Sequence, residues 1–378
     1  MSTIYLDYNA STPLDPDVIE AMRPFLEASF GNPSSAHWAG RPAREAVELA
    51  RGRVAELIGA APAEVVFTSG GTEASNHALK GAWYRAGRAD GHFITTAVEH
   101  PATLNPLRFL EGQGAEVTVL PVDHEGRVDP NEVRRAIQDR TVLVSVMHAN
   151  NEIGTIEPIE EIGRITRERG ILFHVDAAQS LGKIPVDVNA MGADLVSIAG
   201  HKLYAPKGVG ALYIRAGVEL EPLMHGAGHE SGRRAGTENV LLAVGLGAAC
   251  AAAQRWLASE GRSGPSATRA LRDRLHFGLE QALPDQIVLN GHPDLRLPNT
   301  LNVCFRGRDG AELLAKLDGV AASTGSACHA GSIELSPVLR AIGVDPELGR
   351  GAVRFSLGRA TTADEIDEVV ARLRALRA

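Results

Sequence analysis

Two positions in the chain pair residue types that can do chemistry together. Asp176 closes the apolar run Ile171-Leu172-Phe173-His174-Val175. Twenty-six residues later His201-Lys202 follows a second apolar run, Leu195 to Ala199. A lysine at a strand end is either a solvated loop amine or an amine kept for Schiff-base chemistry with a carbonyl. A lone Asp after a strand is usually a cap or turn residue. Together, an acid at the carboxyl end of one strand and a lysine at the end of another suit a pyridoxal phosphate site. There the acid pairs with the protonated pyridine nitrogen and the lysine forms the imine.

Other segments offer further parts of such a site. Phe67-Thr68-Ser69-Gly70-Gly71-Thr72-Glu73 runs from a strand through two glycines into a helix, whose amino terminus presents free N–H groups and a positive dipole end to a phosphate. An ordinary turn with Thr72 as cap reads equally well. Glu99-His100-Pro101 and His148-Ala149-Asn150-Asn151 each end a strand. A histidine there either bonds a backbone carbonyl or stacks on a flat ring, and an asparagine either serves the turn or donates to a ligand. Arg354 and Arg359 flank a short strand, and one of them can form the bidentate pair that a carboxylate requires.

The cysteines divide by surroundings. Cys250 lies among alanines on a helix and Cys304 inside the strand Thr300 to Phe305, so both read as packing thiols. Cys328 sits between Ser323-Thr324-Gly325-Ser326-Ala327 and His329-Ala330-Gly331, where few large apolar residues exist to bury it, which favours a nucleophile. Three scattered cysteines make neither a disulfide framework nor a metal site.

These residues need elements to carry them. At 378 residues two domains are expected, and 40 glycines with 20 prolines imply many tight βα connections. Helices are expected from Pro16 (carrying Val18, Ile19 and Met22), from Pro42 to Ile58, from Pro101 and from Asp129 to Gln138. Strands are expected at 92–98, 117–121 and 141–147, an alternation that marks a parallel sheet covered on both faces. The polar loop from Gly226 to Asn239 shows no core role, although Arg234-Ala235-Gly236-Thr237 would suit an anion. It feeds an Ala/Gly/Leu helix from Val240 to about Leu257. Residues 261–266 read as a linker to a second domain, which opens with a helix from about Ala267 to Leu283. The formal net charge of −8 gives no basic surface for nucleic acid. No run of 18 apolar residues and no signal-peptide pattern are seen, so a cytoplasmic location without membrane attachment is expected.

The segments YLDYNASTP, GNPSSAH, FTSGGTEASN, EHPA, HANNEIG, HVDAAQS, AGHKLYAPKGVGALYIR, GRRAGTENV, STGSACHAGSIELSPVLRAIG and VRFSLGR, in this order, resemble the cysteine desulfurases, and the resemblance covers nearly the whole chain. It implies an α/β fold of the aspartate aminotransferase-like, pyridoxal-phosphate-dependent transferase type. The large domain (16–260) would hold a mostly parallel seven-stranded sheet. A smaller α+β domain (1–15 and 261–378) would carry the Cys328 loop.

It also implies roles. Lys202 would hold the coenzyme, Asp176 would pair with the ring nitrogen, His100 would stack on the ring and Gln179 would bond the phenolate oxygen. Gly71, Thr72 and His201 would hold the phosphate, with Thr237 contributed by the partner subunit of a homodimer. Asn151 and Arg354 would bind the carboxylate of L-cysteine, and Cys328 would take the sulfur for a protein acceptor such as an iron–sulfur scaffold or a thiolation enzyme. Family members often have Ser where Ala199 stands here, which implies one phosphate hydrogen bond lost or replaced, worth about 0.5–3 kcal/mol. The nearest rival is a selenocysteine lyase on the same fold. From another class, a non-catalytic sulfur-transfer scaffold or a nucleotide-binding protein competes, although neither GxGxxG after the first strand nor a Walker loop is present.

Overall fold

The computed structural model describes residues 3–87, 90–259, 261, 263–324, 326–329 and 332–376, without the side chains of 325–334. β1 (Ile4–Tyr5) leads into α1 (Pro16–Glu27) and α2 (Gly40–Ile58). Strands and helices then alternate through β2 (Val65–Thr68), α3 (Gly71–Ala86), β3 (His92–Thr96), α4 (Pro101–Glu111), β4 (Glu116–Leu120), α5 (Pro130–Ala136) and β5 (Thr141–Met147). After α6 (Ile159–Glu168) come β6 (Leu172–Asp176), β7 (Leu195–Ala199), β8 (Gly210–Ile214), α7 (Val240–Leu257) and α8 (Gly264–Ala282). The carboxyl-terminal part holds β9 (Ile287–Asn290), β10 (Thr300–Phe305), α9 (Gly310–Lys316), β11 (Val320–Ala321), β12 (Ser323–Thr324), β13 (Ser326–His329) and β14 (Ser332–Leu335). It ends with α10 (Pro337–Ala341), α11 (Pro346–Gly349), β15 (Ala352–Ser356) and α12 (Ala363–Ala375).

Seven strands form one sheet in the order β2-β8-β7-β6-β5-β3-β4. From β7 to β4 every pairing is parallel, and β8 runs antiparallel to both of its neighbours, so the expected mostly parallel sheet is present. Side chains alternate across it with the period of two that a strand imposes. Val65, Phe67, Ala211 and Tyr213 pack on one face with α2, α6 and α7. Val66, Leu212 and Ile214 pack on the other with α3 and α4. Both faces are therefore dry, and functional side chains are left to the strand ends. By length and composition α7 is apolar enough to cross a bilayer, but here it is a core helix packed against α1 and α2.

A second core joins Leu275 and Leu279 of α8 with Ile366, Val369 and Leu373 of α12, over a four-stranded antiparallel sheet ordered β12-β15-β10-β9. Ile4 and Leu6 belong to this core, because β1 pairs with β11.

Some local expectations are corrected. Ile19 is 44% exposed, so the buried stripe of α1 rests on Val18 and Met22. α2 begins at Gly40, and α8 begins at Gly264 with Pro265 in its first turn, which shortens the linker. β3 stops at Thr96. The loop from Gly226 to Asn239 does have a core role: Glu230 is buried against Arg51, at 2.6 Å, and accepts the Phe67 N–H at 2.9 Å.

Candidate active site

A cavity of about 280 Å³ opens at the carboxyl ends of β5, β6 and β7, against the first turn of α3 and the chain after β1. The glycines around it are there for space. Gly70 has φ 152°, and a Cβ on Gly210 would lie 2.7 Å from the Gly70 backbone, so β8 and the turn before α3 can approach only without side chains. A Cβ on Gly71 would sit 3.1 Å from that of Ala199. Gly70, not Thr72, occupies the position before the helix; Thr72 lies inside the first turn and lines the cavity. The turn is steadied instead by Glu73, which accepts the Ser69 N–H at 2.7 Å and pairs with Arg234 at 2.9 Å.

Lys202 ends the 3-10 turn that follows β7 and reaches into this cavity. Its Nζ donates to the carbonyls of Asn9 and Ala10, the latter at 2.8 Å. Burial first, then the positive Arg354, push the amine down to about 8, against the opposing pull of Asp7 and Asp176. Asp176, the last residue of β6, is buried at the same cavity and accepts the Ala178 N–H at 2.9 Å. Burial raises its pKa, while that N–H, His100 and Lys202 hold the rise back.

The two candidate histidines separate. His100 lines the cavity, and its Nδ1 accepts the Ala102 N–H at 3.0 Å to cap α4. Nδ1 thus carries no proton, and desolvation keeps the pKa of His100 below the usual range. His148 lies buried outside the cavity lining, its pKa pushed down to about 4 by burial. His201 also lines the cavity and is held neutral at about 4 by burial and by the positive Lys202 and Lys207. Asparagines divide likewise. Asn150 serves the turn, its Oδ1 accepting from Glu152 and Ile153 at 2.8 and 3.0 Å, whereas Asn151 faces the cavity.

Arg354 is the arginine at the site. It stands on β15, pairs with Asp7 at 2.7 Å and donates to the Asn151 carbonyl at 3.0 Å. Its Nε is buried and without a partner among the described residues, a donor left for a ligand. Arg359 is engaged elsewhere, stacked 4.3 Å from the Tyr204 ring and paired with Asp15 at 3.4 Å. Gln179 reaches the cavity with Nε2 donating to the Asn9 carbonyl at 3.0 Å. Thr237 does not line this cavity; it borders a separate hollow with Phe67, Ser69 and Gly208.

The backbone of Cys328 lies in the β13–β14 hairpin, in register with Ile333, and its side chain falls outside the described residues. The hairpin is anchored next to the site at both ends. It leaves β12, where Ser323 pairs with Arg354, and it returns at Ser336, whose hydroxyl donates to Glu152 at 2.6 Å. Cys250 and Cys304 are buried, and burial pushes the Cys250 thiol up to about 12, so both are packing thiols.

The sequence reading missed Asp7, Asn9 and Lys183. Asn9 ties the site together: its Nδ2 donates to Thr300 at 2.9 Å and to the Asn151 carbonyl at 3.2 Å, and its own carbonyl receives Gln179 and Lys202. The polar run Asp7-Tyr8-Asn9 after a strand was the available signal.

Residues 4–369 match the model of the class V aminotransferase family. The chain is 49% identical over 366 residues to the cysteine desulfurase IscS of Dictyoglomus turgidum, covering 96% of this chain and 92% of the relative. Among solved structures, a NifS-like protein superposes with a TM-score of 0.92 at 37% identity, covering 99% of both chains. The structure of SspA in complex with cysteine gives 0.83 at 39% identity, over 95% of this chain and all of that one. The chain belongs to the class V aminotransferase family. Its coenzyme is pyridoxal phosphate, and the site fits that group: a desolvated amine and a buried carboxylate face one cavity, a glycine-lined helix terminus borders it, and an unpartnered guanidinium N–H remains for substrate.

Proposed function

We infer that the protein is a cysteine desulfurase, converting L-cysteine to L-alanine and leaving the sulfur as a persulfide on Cys328. The observation that carries this reading is the meeting of Lys202, Asp176 and Arg354 at one cavity. Bound pyridoxal phosphate supplies a carbonyl for amines and an electron-withdrawing ring that stabilises negative charge at the substrate Cα. Lys202 would hold it. With a pKa of about 8 a usable fraction of this amine is neutral near pH 7, and once displaced by the substrate amine it would take the Cα proton. The Asp176 carboxylate would keep the ring nitrogen protonated, His100 would lie on the ring face and Gln179 Nε2 would donate to the phenolate oxygen. Gly71, Thr72 and neutral His201 would bind phosphate, joined by Thr237 of the partner subunit in a homodimer.

Arg354 and Asn151 would orient the carboxylate of L-cysteine. The Cys328 thiolate attacks the substrate sulfur, an S–S bond forms as the Cβ–S bond breaks, and the electron pair left on carbon is protonated. L-cysteine and one thiol thereby become L-alanine and one persulfide. The hairpin that carries Cys328 is to deliver that sulfur to a protein acceptor, such as an iron–sulfur scaffold or a thiolation enzyme. Residues 16–260 are proposed as the large coenzyme domain. Residues 1–15 with 261–378 form the small one, a division supported by the core that Ile4 and Leu6 share with α8 and α12. Two free, buried thiols support a reducing, cytoplasmic location.

The test is Cys328→Ala. Alanine production from L-cysteine should fall to background while the visible band of the bound coenzyme remains. In the wild-type protein, high activity on L-selenocysteine with none on L-cysteine would instead identify a selenocysteine lyase.

A further inference from the structure

Lys183 is a buried lysine whose ammonium lacks the partner such a group normally needs. It is 8% exposed, and no carboxylate among the described residues pairs with it. Its Nζ instead donates to two amide oxygens, Gln179 Oε1 at 2.6 Å and Asn9 Oδ1 at 3.1 Å. Burial first, then the positive Lys202 and Arg354 that face it, push its pKa well down. Such a costly arrangement has no packing benefit that an apolar residue of the same length would not supply.

The orientation of each amide can be read from a partner other than the lysine. Asn9 Nδ2 must serve the Asn151 carbonyl, at 3.2 Å, and Gln179 Nε2 must serve the Asn9 carbonyl, at 3.0 Å, because a carbonyl only accepts. Both amide oxygens are thereby turned to Lys183; Asn9 Oδ1 also receives Asn299 Nδ2 at 3.0 Å, whereas Gln179 Oε1 has the lysine as its one donor among the described residues. With the lysine in place Gln179 keeps a nitrogen, not an oxygen, at the cavity, and the second hydrogen of that nitrogen is free for a ligand acceptor. Without it Gln179 Oε1 would face Asn9 Oδ1 in a buried site with no donor, and only the Asn9 carbonyl would still hold the amide against a half-turn.

We propose that Lys183 is a positioning residue: it locks the Gln179 amide so that the cavity meets a hydrogen-bond donor, which stabilises an anionic oxygen on the coenzyme ring. This rests on the coenzyme reading of the site. It adds a second lysine, one that never bonds to coenzyme or substrate, to the control of the coenzyme's ionisation.

The test is a visible-absorption pH titration of four holoenzymes: wild type, Lys183→Met, Gln179→Leu and the double variant. Losing the donor disfavours the anionic oxygen, so Lys183→Met should move the midpoint of the band upward by about one pH unit. On the Gln179→Leu background the same substitution should shift nothing further. An unshifted midpoint in Lys183→Met, or an equal shift on both backgrounds, overturns the proposal, the latter because the lysine would then act as a bare charge. Should Lys183→Met fail to fold, Lys183→Gln, which can donate to only one of the two oxygens at a time, is read by the same criteria. A wild-type protein with no visible band at all would overturn the coenzyme reading itself, and the role of Lys183 with it.

Discussion

Arg354 and Asp7 form an ion pair of 2.7 Å at the edge of the cavity, so the guanidinium that faces the substrate space is already gripped by a carboxylate 347 residues away in sequence. The pair ties the amino-terminal segment to β15. It leaves Nε free while fixing the plane of the guanidinium, with the Asn151 carbonyl as the second anchor.

Replacing Asp7 by Asn would weaken that grip while keeping a hydrogen-bond acceptor. Two effects oppose: the arginine loses a competitor for the substrate carboxylate, but it also loses its orientation. Because Arg354 is largely buried and bidentate recognition depends on angle, orientation wins. A charge-assisted hydrogen bond is worth about 1–2 kcal/mol here, so KM for L-cysteine should rise about 5- to 30-fold with a smaller change in kcat. Steady-state kinetics check this, and a lowered KM would show that competition dominates.

The pair between Arg51 and Glu230 is structural. Arg51 Nη1 lies 2.6 Å from Glu230 and 2.9 Å from the Val65 carbonyl, and Glu230 holds a left-handed backbone (φ 48°) to stay there. Removing Arg51 strands the buried Glu230 carboxylate, and removing Glu230 leaves the buried guanidinium with only the exposed Glu48, at 3.2 Å. Glu230→Ala should therefore cost about 3–5 kcal/mol in denaturant unfolding of the holoenzyme, whereas Arg51→Met with Glu230→Leu should cost clearly less than the two single changes added. Simple additivity would show that the two residues act independently.

The legible part of the site is the part written in local order. Lys202 and Asp176 stand out because a charged residue closes an apolar run, and strand ends in a parallel sheet are where such residues become available. Sheet type and helix positions follow from period and caps, and errors fall at element ends, as with Gly40 and Gly264. The illegible part is set by contacts across the fold. Lys183 reads as one more lysine before Ile-Pro, and only the meeting with Asn9 across 174 residues gives it a role. Glu230 sits in a glycine-rich polar loop whose composition says solvent, and the neutralising Arg51 cannot be inferred from spacing. The choice between Arg354 and Arg359 likewise needed the Tyr204 ring and Asp15 in place.

The depressed pKa of Lys202 gives a kinetic expectation for coenzyme capture. Only the neutral amine attacks a carbonyl, so the rate at which coenzyme-free protein takes up pyridoxal phosphate should rise with pH, half-maximal near about 8 and level above. Below the midpoint it should fall about tenfold per pH unit. The direction follows from the amine: lowering pH protonates it, and the folded site releases that proton more easily than water-exposed lysine does, because burial and the positive Arg354 disfavour the charged form. Arg354→Met removes the positive neighbour and should carry the midpoint upward. Asp176→Asn removes a negative one that favours the ammonium and should carry it downward. Stopped-flow absorbance across pH 6 to 11 reads all three; a wild-type midpoint near the ordinary lysine value of 10.5 would mean that the amine is solvated and that the cavity does not tune it.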